Sequence, residues 1–315
     1  MKKNTNPITK MLCEISLLIL LLFFLFQPCL ADQGKTGLDI MDEVFKRHEL
    51  FPYVYEEQTM IMTDSAGNQD VRKARQFLRK ETDKTIKYLL VFDNPAEIRG
   101  VALRVIRPPD DPVKNGVYLP AFGKEFTTGG HKSYGNHILG TDFALEDLIK
   151  NLSDFQYVRQ ADQRLAMTDC FVVDAFPGND EIKQYSSYSM RRHFIRQDNF
   201  CIIRTDFYDR RGRFFKRLTR HDLKKLNQNM WRANMILMEN FRESHTTLIK
   251  IDSRIFSRDY VLPQMFTKSW LQENRHIQES KNYFFSKVFG HSKEAIPLEP
   301  LKETLENKTD KPIGN

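Results

Sequence analysis

The chain has 315 residues, of which 41% are hydrophobic and 28% are charged, and its formal net charge is +7. A basic balance is common among nucleic-acid-binding proteins. Here the basic and acidic residues are interleaved, and the N-terminus has the features of an export signal, so the sequence argues against a nucleic-acid partner. A mildly basic surface suits anionic lipid headgroups or acidic proteins, although an ordinary solvated surface accounts for the same charges.

The first 31 residues have the three parts of a secretory signal peptide. Three lysines precede an apolar run over residues 15–26, and Cys29 and Ala31 place small side chains before a cleavage point near Ala31. The run is shorter than the roughly 20 residues of a membrane-spanning helix. The sequence therefore predicts a periplasmic protein whose signal is removed. The alternatives are an uncleaved anchor and a lipoprotein, and the residues before Cys29 do not favour the lipoprotein.

Two of the four cysteines, Cys13 and Cys29, lie within the predicted signal. The remaining pair, Cys170 and Cys201, lies in strand-like segments, and an even pair in an oxidising compartment favours a disulfide. Two buried thiols are the alternative. Neither cysteine belongs to a C-x-x-C motif, so the pattern does not indicate redox catalysis.

The mature chain begins with one helix and continues mainly as strands. Apolar residues at helical spacing predict a helix over residues 38–49, and alternation then predicts strands over 53–63 and 71–80, joined by a turn at 64–68. Further strands are predicted at these ranges: 85–92, 100–106, 116–120, 155–164, 169–176, two strands around the turn at 196–198, the hairpin 201–209 with 213–220, 229–239 and 246–251. Residues 122–142 are glycine-rich and predict loops and short strands, and 143–152 predict a short helix.

This order predicts a mainly β (α+β) fold with about ten or eleven antiparallel strands, the N-terminal helix and one internal helix. Such a sheet, wrapped around a helix, can enclose an apolar hollow. We divide the chain into a signal peptide (1–31), one domain (32–271) and a polar tail (272–315). The tail is expected to be disordered, and the alternative is a short docking helix at residues 284–289.

Five segments, in order, resemble the periplasmic outer membrane lipoprotein-sorting protein family, which is related in fold to the lipoprotein carrier LolA. They are residues 94–100 (NPAEIRG), 117–121 (VYLPA), 140–148 (GTDF-x-x-EDL), 207–219 (FYDRRGRFFKRLT) and 263–267 (PQMFT). The resemblance implies a half-open antiparallel β-barrel packed on helices, with an apolar cavity for acyl chains. It also implies an inner-membrane exporter of the resistance-nodulation-division type as a candidate partner, and it transfers no cargo-contacting residue to this chain.

Apolar residues spaced by two along a strand face the same side of the sheet. Such pairs are the candidates for lining a lipid cavity, and the alternative is that they form a solid core. The candidates are Met60, Met62, Leu90, Phe92, Leu103, Val105, Phe171, Val173, Met235 and Leu237.

The GTDF motif, Gly140, Thr141, Asp142 and Phe143, is interpreted as structural. Gly140 can adopt a positive φ, and Thr141 or Asp142 can cap the helix that follows. His131 and His137 lie in a glycine-rich loop, but their spacing matches no metal-ligand pattern.

The sequence therefore predicts a non-enzymatic carrier or chaperone without cofactor or metal, which binds a lipid or a lipidated protein. The first alternative is an accessory partner of an exporter that has no cargo of its own. The second is a hydrolase, which would require His131 or His137 to converge with Asp142. The arginine-rich hairpin at 210–217 could contact headgroups or a partner, although a solvated hairpin tip is the default reading.

Overall fold

The computed structural model describes residues 34–48, 50–109, 113–127, 135, 137–148, 151–227 and 229–278. The predicted signal peptide, most of the predicted tail and His131 lie outside the described residues. Within the described ranges, no helix is both long enough and apolar enough to span a bilayer.

One antiparallel sheet of thirteen strands forms the body of the protein. The strands are β1 (Tyr53–Thr63), β2 (Gln69–Lys80), β3 (Ile86–Asn94), β4 (Ala102–Arg107), β5 (Lys114–Leu119), β6 (Lys124–Thr127), β7 (Phe155–Leu165), β8 (Thr168–Pro177), β9 (Tyr188–Arg196), β10 (Ile202–Asp209), β11 (Phe214–Lys225), β12 (Trp231–Asn240) and β13 (His245–Ile255). Their order is β6-β5-β4-β3-β2-β1-β13-β12-β11-β10-β9-β8-β7. Only the β1–β13 pairing joins strands that are distant in sequence, so the sheet consists of two meanders joined at the centre.

The sheet has thirteen strands, against the ten or eleven predicted, and β6 is the strand for which no separate range was predicted. Strand β6 has only four residues, and it follows directly on a left-handed Gly123 in the glycine-rich segment 122–142, for which loops and short strands were predicted. Four residues are too few to show an alternation of polar and apolar side chains, so the pairing of β6 with β5 could not be recognised from the sequence.

Five α-helices accompany the sheet within the described residues. They are α1 (Gly37–His48), α2 (Leu145–Leu148), α3 (Asp180–Tyr185), α4 (Lys268–Gln272) and α5 (Arg275–Gln278). Helix α1 buries Ile40, Met41 and Val44, whereas Leu38 in its first turn is exposed.

The sheet curls into a half-open barrel. Arg107 at the end of β4 forms a buried ion pair with Asp154, which immediately precedes β7. In the strand order, β4 and β7 are ten positions apart, which would be about 48 Å in a flat sheet with 4.8 Å between strands. Direct contact between the two residues therefore requires strong curvature, as the predicted half-open barrel does.

The C-terminal segment covers the outer face of β1–β5. Val261, Trp270 and Leu271 pack with residues of those strands such as Leu89 and Val91 in one buried cluster. The neighbouring residues of β3, at positions 90 and 92, point to the opposite side and are buried there. Strand β3 is therefore covered on both faces, which explains its continuous apolar sequence.

Polar contacts fix this segment to the sheet. Arg75 donates to the backbone carbonyl of His276 at 2.7 Å, and the His276 ring lies 2.9 Å from the carbonyl oxygen of Gly100. His276 is fully buried. The folded domain thus continues past residue 271, where the predicted tail was expected to begin.

Candidate functional site

The face of the sheet opposite the C-terminal segment, called the inner face, carries most of the predicted cavity residues. Met60, Leu90, Phe92, Leu103 and Val105 belong to one buried cluster that continues across β9–β13. All five are at most 6% exposed. They therefore pack tightly in this conformation, as residues of a filled core do.

Phe171 and Val173 also face inward, at the opposite end of the sheet. They pack with Ile40, Met41 and Val44 of helix α1 in a separate cluster. Helix α1 therefore covers one end of the inner face.

Met62 completes the inward-facing group. It is 3% exposed, and its spacing of two from Met60 along β1 places both side chains on the same side of the sheet. Eight of the ten predicted residues thus share the inner face.

Met235 and Leu237 face the outer side, contrary to the prediction. Their neighbours Ile236 and Met238 belong to the inner cluster, and successive side chains of a strand alternate between faces. The run from 235 to 238 is apolar at every position, so alternation could not reveal which pair points inward.

Residues 137–148, called the cover segment, lie over the inner cluster. Ile138, Phe143 and Leu145 of this segment are buried within it. Gly140 has a φ of +82°, as predicted, and the turn is closed by the amide of Thr141 donating to the carbonyl of Ile138 at 2.9 Å.

Neither Thr141 nor Asp142 caps the helix that follows. The Thr141 hydroxyl accepts from the amide of Phe143 at 3.3 Å. Phe143 precedes helix α2, so this hydrogen bond does not cap the helix. The carboxylate of Asp147 instead accepts from the amide of Ala144 at 2.9 Å and satisfies the start of helix α2. The carboxylate of Asp142 is thereby left available for a different set of partners.

Asp142 is almost completely buried, and its partners come from β11 and β13. Its carboxylate accepts from the Thr247 hydroxyl at 2.7 Å and lies 2.6 Å from Nδ1 of His245. Its amide donates to Thr247 Oγ1 at 2.9 Å, and its carbonyl accepts from Lys216 Nζ at 2.5 Å. Burial of a charged group is costly unless it is fully paired, so these contacts fix the cover segment in one position.

Glu146 and Asp147 anchor the other end of the cover segment. Glu146 accepts from Ser186 Oγ at 2.6 Å and pairs with Arg191 at 2.5 Å. Asp147 accepts from the hydroxyl of Tyr188 at 2.9 Å. Burial raises the pKa of Glu146, and the guanidinium of Arg191 opposes that effect.

The strand β2 supplies a further anchor, because Arg72 donates to the carbonyl of Leu139. The cover segment is therefore held to β2, β9, β11 and β13 by side chains. Its residues 137 and 144 form one isolated bridge with each other.

The sequence analysis missed these partners because they lie far away along the chain, for example 105 positions between Asp142 and Thr247. One signal was present. Asp142, Glu146 and Asp147 interrupt an apolar segment, and carboxylates within a buried segment require polar partners.

The arrangement predicted for a hydrolase is not found among the described residues. Asp142 contacts His245, whereas His137 lies in the bridge to Ala144. The described residues also contain no group of three or more side chains arranged to hold a metal ion.

Cys170 and Cys201 are free thiols in this structure. Cys170 of β8 lies opposite Arg196 of β9, and the amide of Arg196 donates to the carbonyl of Cys201 on its other side. The cysteines are thus separated by two strand spacings, about 9–10 Å. Because the Cα atoms of a disulfide are normally within 7 Å, strand β9 prevents the pairing that the sequence suggested.

Solved structures with the same fold include a domain from Vibrio parahaemolyticus described as an outer membrane lipoprotein-sorting protein domain. It is 22% identical with a TM-score of 0.69, and the match covers 75% of this chain and 98% of that one. A DUF1329 family protein from Desulfovibrio piger is also 22% identical, with a TM-score of 0.67 and coverage of 75% and 97%. A LolA superfamily protein from Nitrosomonas europaea is 15% identical, with a TM-score of 0.60 and coverage of 75% and 100%.

These likenesses confirm the predicted LolA-like fold. Among curated proteins, none matches the chain. A family model described as "-like: Uncharacterized protein" matches residues 84–273, more than half of the chain. The chain therefore belongs to the family that this model describes, and it has the LolA-like fold of the lipoprotein-sorting proteins.

Proposed function

We propose that the protein is a non-enzymatic periplasmic carrier that binds the acyl chains of a lipid or a lipidated protein against its inner face. The observation that carries the proposal is the grouping of eight predicted apolar residues on the inner face of a half-open sheet. The signal-like N-terminus supports the location, and the names of the solved relatives support the class of cargo.

In this conformation the cover segment occupies the place that an acyl chain would take. Exposing Ile138, Phe143 and Leu145 to water would cost about 5–9 kcal/mol, at roughly 1.5–3 kcal/mol for each side chain. An acyl chain with about sixteen methylenes gains about 13 kcal/mol on burial, at roughly 0.8 kcal/mol each. A single acyl chain can therefore replace the apolar contacts of the cover, and the polar anchors determine how readily this exchange takes place.

The first test is native mass spectrometry and solvent extraction of the protein purified from the periplasm. We expect a lipid to co-purify in a reproducible ratio to protein. Reproducible absence of any lipid would overturn the carrier proposal. It would leave the accessory partner of an exporter, an alternative for which the comparisons give no support.

The second test loosens the cover. Thr247→Val removes the hydroxyl that binds Asp142, and Thr246→Val is the matched control on the opposite face of the same strand. We expect Thr247→Val to take up a fluorescent fatty acid faster than the wild type, and Thr246→Val to behave like the wild type. Equal uptake by all three proteins would show that the cover does not control access to the inner face.

A further inference from the structure

A basic pocket lies beside the cover segment, at the end of the barrel where the β10–β11 and β12–β13 turns meet. Its volume is about 560 Å³. Five cationic side chains line it against two carboxylates, those of Asp209 and Glu243. The five cations are Arg210, Arg211, Arg213, Lys216 and Arg242.

One carboxylate already binds two of the arginines. Asp209 pairs with Arg213 at 2.9 Å and with Arg242, and the backbone and side chain of Arg213 lower the pKa of Asp209. Asp209 therefore stays ionised and holds two guanidinium groups side by side. One negative charge between two positive ones leaves the group cationic.

Backbone carbonyls fix Arg210 without neutralising it. Arg210 donates to the carbonyls of Ser186 and Gln184, at 3.0 and 2.7 Å. Because carbonyls carry no formal charge, Arg210 keeps its full charge for an anion. Arg242 shares the Asp209 carboxylate with Arg213 and is also held over the ring of Phe215, with its guanidinium carbon 4.4 Å from the ring centroid.

Fixed guanidinium groups suit phosphate, because their planar N–H donors match its oxygens in pairs. Two exposed aromatic side chains border the same turns, with Phe214 40% and Phe241 49% exposed and their ring centroids 5.2 Å apart. Arg217 lies over Phe214. Aromatic side chains beside cationic ones are typical of surfaces that contact a lipid interface.

We propose that this pocket binds the phosphate of an anionic phospholipid headgroup, with Phe214 and Phe241 contacting the lipid next to it. The site is independent of what the inner face carries. Vesicle binding measures recognition of a headgroup, whereas the test of the carrier proposal measures a co-purified lipid. The headgroup site and the carrier proposal can therefore fail independently.

The experiment measures binding of the full mature protein to vesicles of phosphatidylcholine with and without phosphatidylglycerol. We expect binding only when phosphatidylglycerol is present. Arg211→Gln and Arg242→Gln should each weaken it about fivefold, which corresponds to about 1 kcal/mol per charge near an anionic surface. The control is Arg258→Gln, an exposed arginine in a different turn, and it should bind like the wild type.

Two results would overturn the proposal. In the first, all three variants weaken binding equally, so that attraction is diffuse and not located in the pocket. In the second, inorganic phosphate shifts the NMR signals of Arg211 and Arg242, but the protein does not bind vesicles that contain phosphatidylglycerol. The ligand would then be a free phosphate. Phe241→Ser adds a separate check, since it should weaken vesicle binding and leave phosphate binding unchanged.

Discussion

The hydroxyl of Thr247 provides the sharpest test of how the cover segment is held. Thr247 is fully buried on β13. It donates to the Asp142 carboxylate at 2.7 Å and accepts from the Asp142 amide at 2.9 Å. Thr247→Val replaces this hydroxyl with a methyl group of similar size, so packing is nearly unchanged while both hydrogen bonds are lost.

The expected cost follows from the groups left behind. A buried amide without a partner costs about 1–3 kcal/mol, and the lost bond to an ionised carboxylate is worth about 1.5–3 kcal/mol. The carboxylate keeps His245 as a partner, which offsets part of the loss. We therefore expect Thr247→Val to lower the free energy of unfolding by about 2–4 kcal/mol.

Urea denaturation of the two valine variants measures this difference. Thr246→Val makes the same chemical change at a half-buried site on the other face, and it should stay within about 0.5 kcal/mol of the wild type. Hydrogen exchange supplies a local readout, because residues 137–148 should exchange faster only in Thr247→Val. Equal stabilities for the two variants would refute the role assigned to the Asp142 contacts.

Three further predictions concern the outer face and the cysteines. Gly100→Ala should destabilise the protein by about 1–3 kcal/mol more than Gly67→Ala, as measured by urea denaturation. Both glycines have a φ near +80°, but only a Cβ at Gly100 would meet Ile277, at 2.4 Å. Equal losses of stability would contradict the packing of α5. Burial lowers the pKa of His276 to about 4, so the unfolded chain binds more protons between pH 4 and 6.5 and stability should fall as the pH falls through that window. The free energy of unfolding, measured against pH for the wild type and for His276→Gln, tests this expectation. The same pH dependence in both proteins would contradict it. The mature protein should show two free thiols when unfolded in a thiol assay without reductant, and zero thiols would mean that Cys170 and Cys201 can pair after all.

The antiparallel meander could be predicted because its information is local. Alternating side chains and hairpin turns such as 64–68 occur within a few residues of each other, and the structure pairs those strands in the expected way. Leu90 and Phe92 of β3 share one side of the strand, as their spacing of two predicts. The same spacing places Met235 and Leu237 on one side of β12, but both sides of that strand are apolar, so the sequence does not indicate which side faces inward.

The polar anchors of the cover segment could not be predicted. The partners of Asp142 come from β11 and β13, and which strands lie beneath a loop depends on the curvature of the whole sheet. The same limit applies to His276, whose buried ring contacts the backbone carbonyl of Gly100, 176 positions earlier in the chain. Local polarity from residue 272 onwards suggested a tail, but long-range packing places His276 and Ile277 against the sheet.

The ion pair between Arg107 and Asp154 determines more than the curvature of the sheet. In a closed barrel, the diameter is set by a continuous ladder of backbone hydrogen bonds, and widening it would break many of them. Here the distance between β4 and the start of β7 is bridged by two side chains. When these two side chains move apart, no hydrogen bond between paired strands breaks. The half-open barrel can therefore widen at this edge while the sheet stays intact.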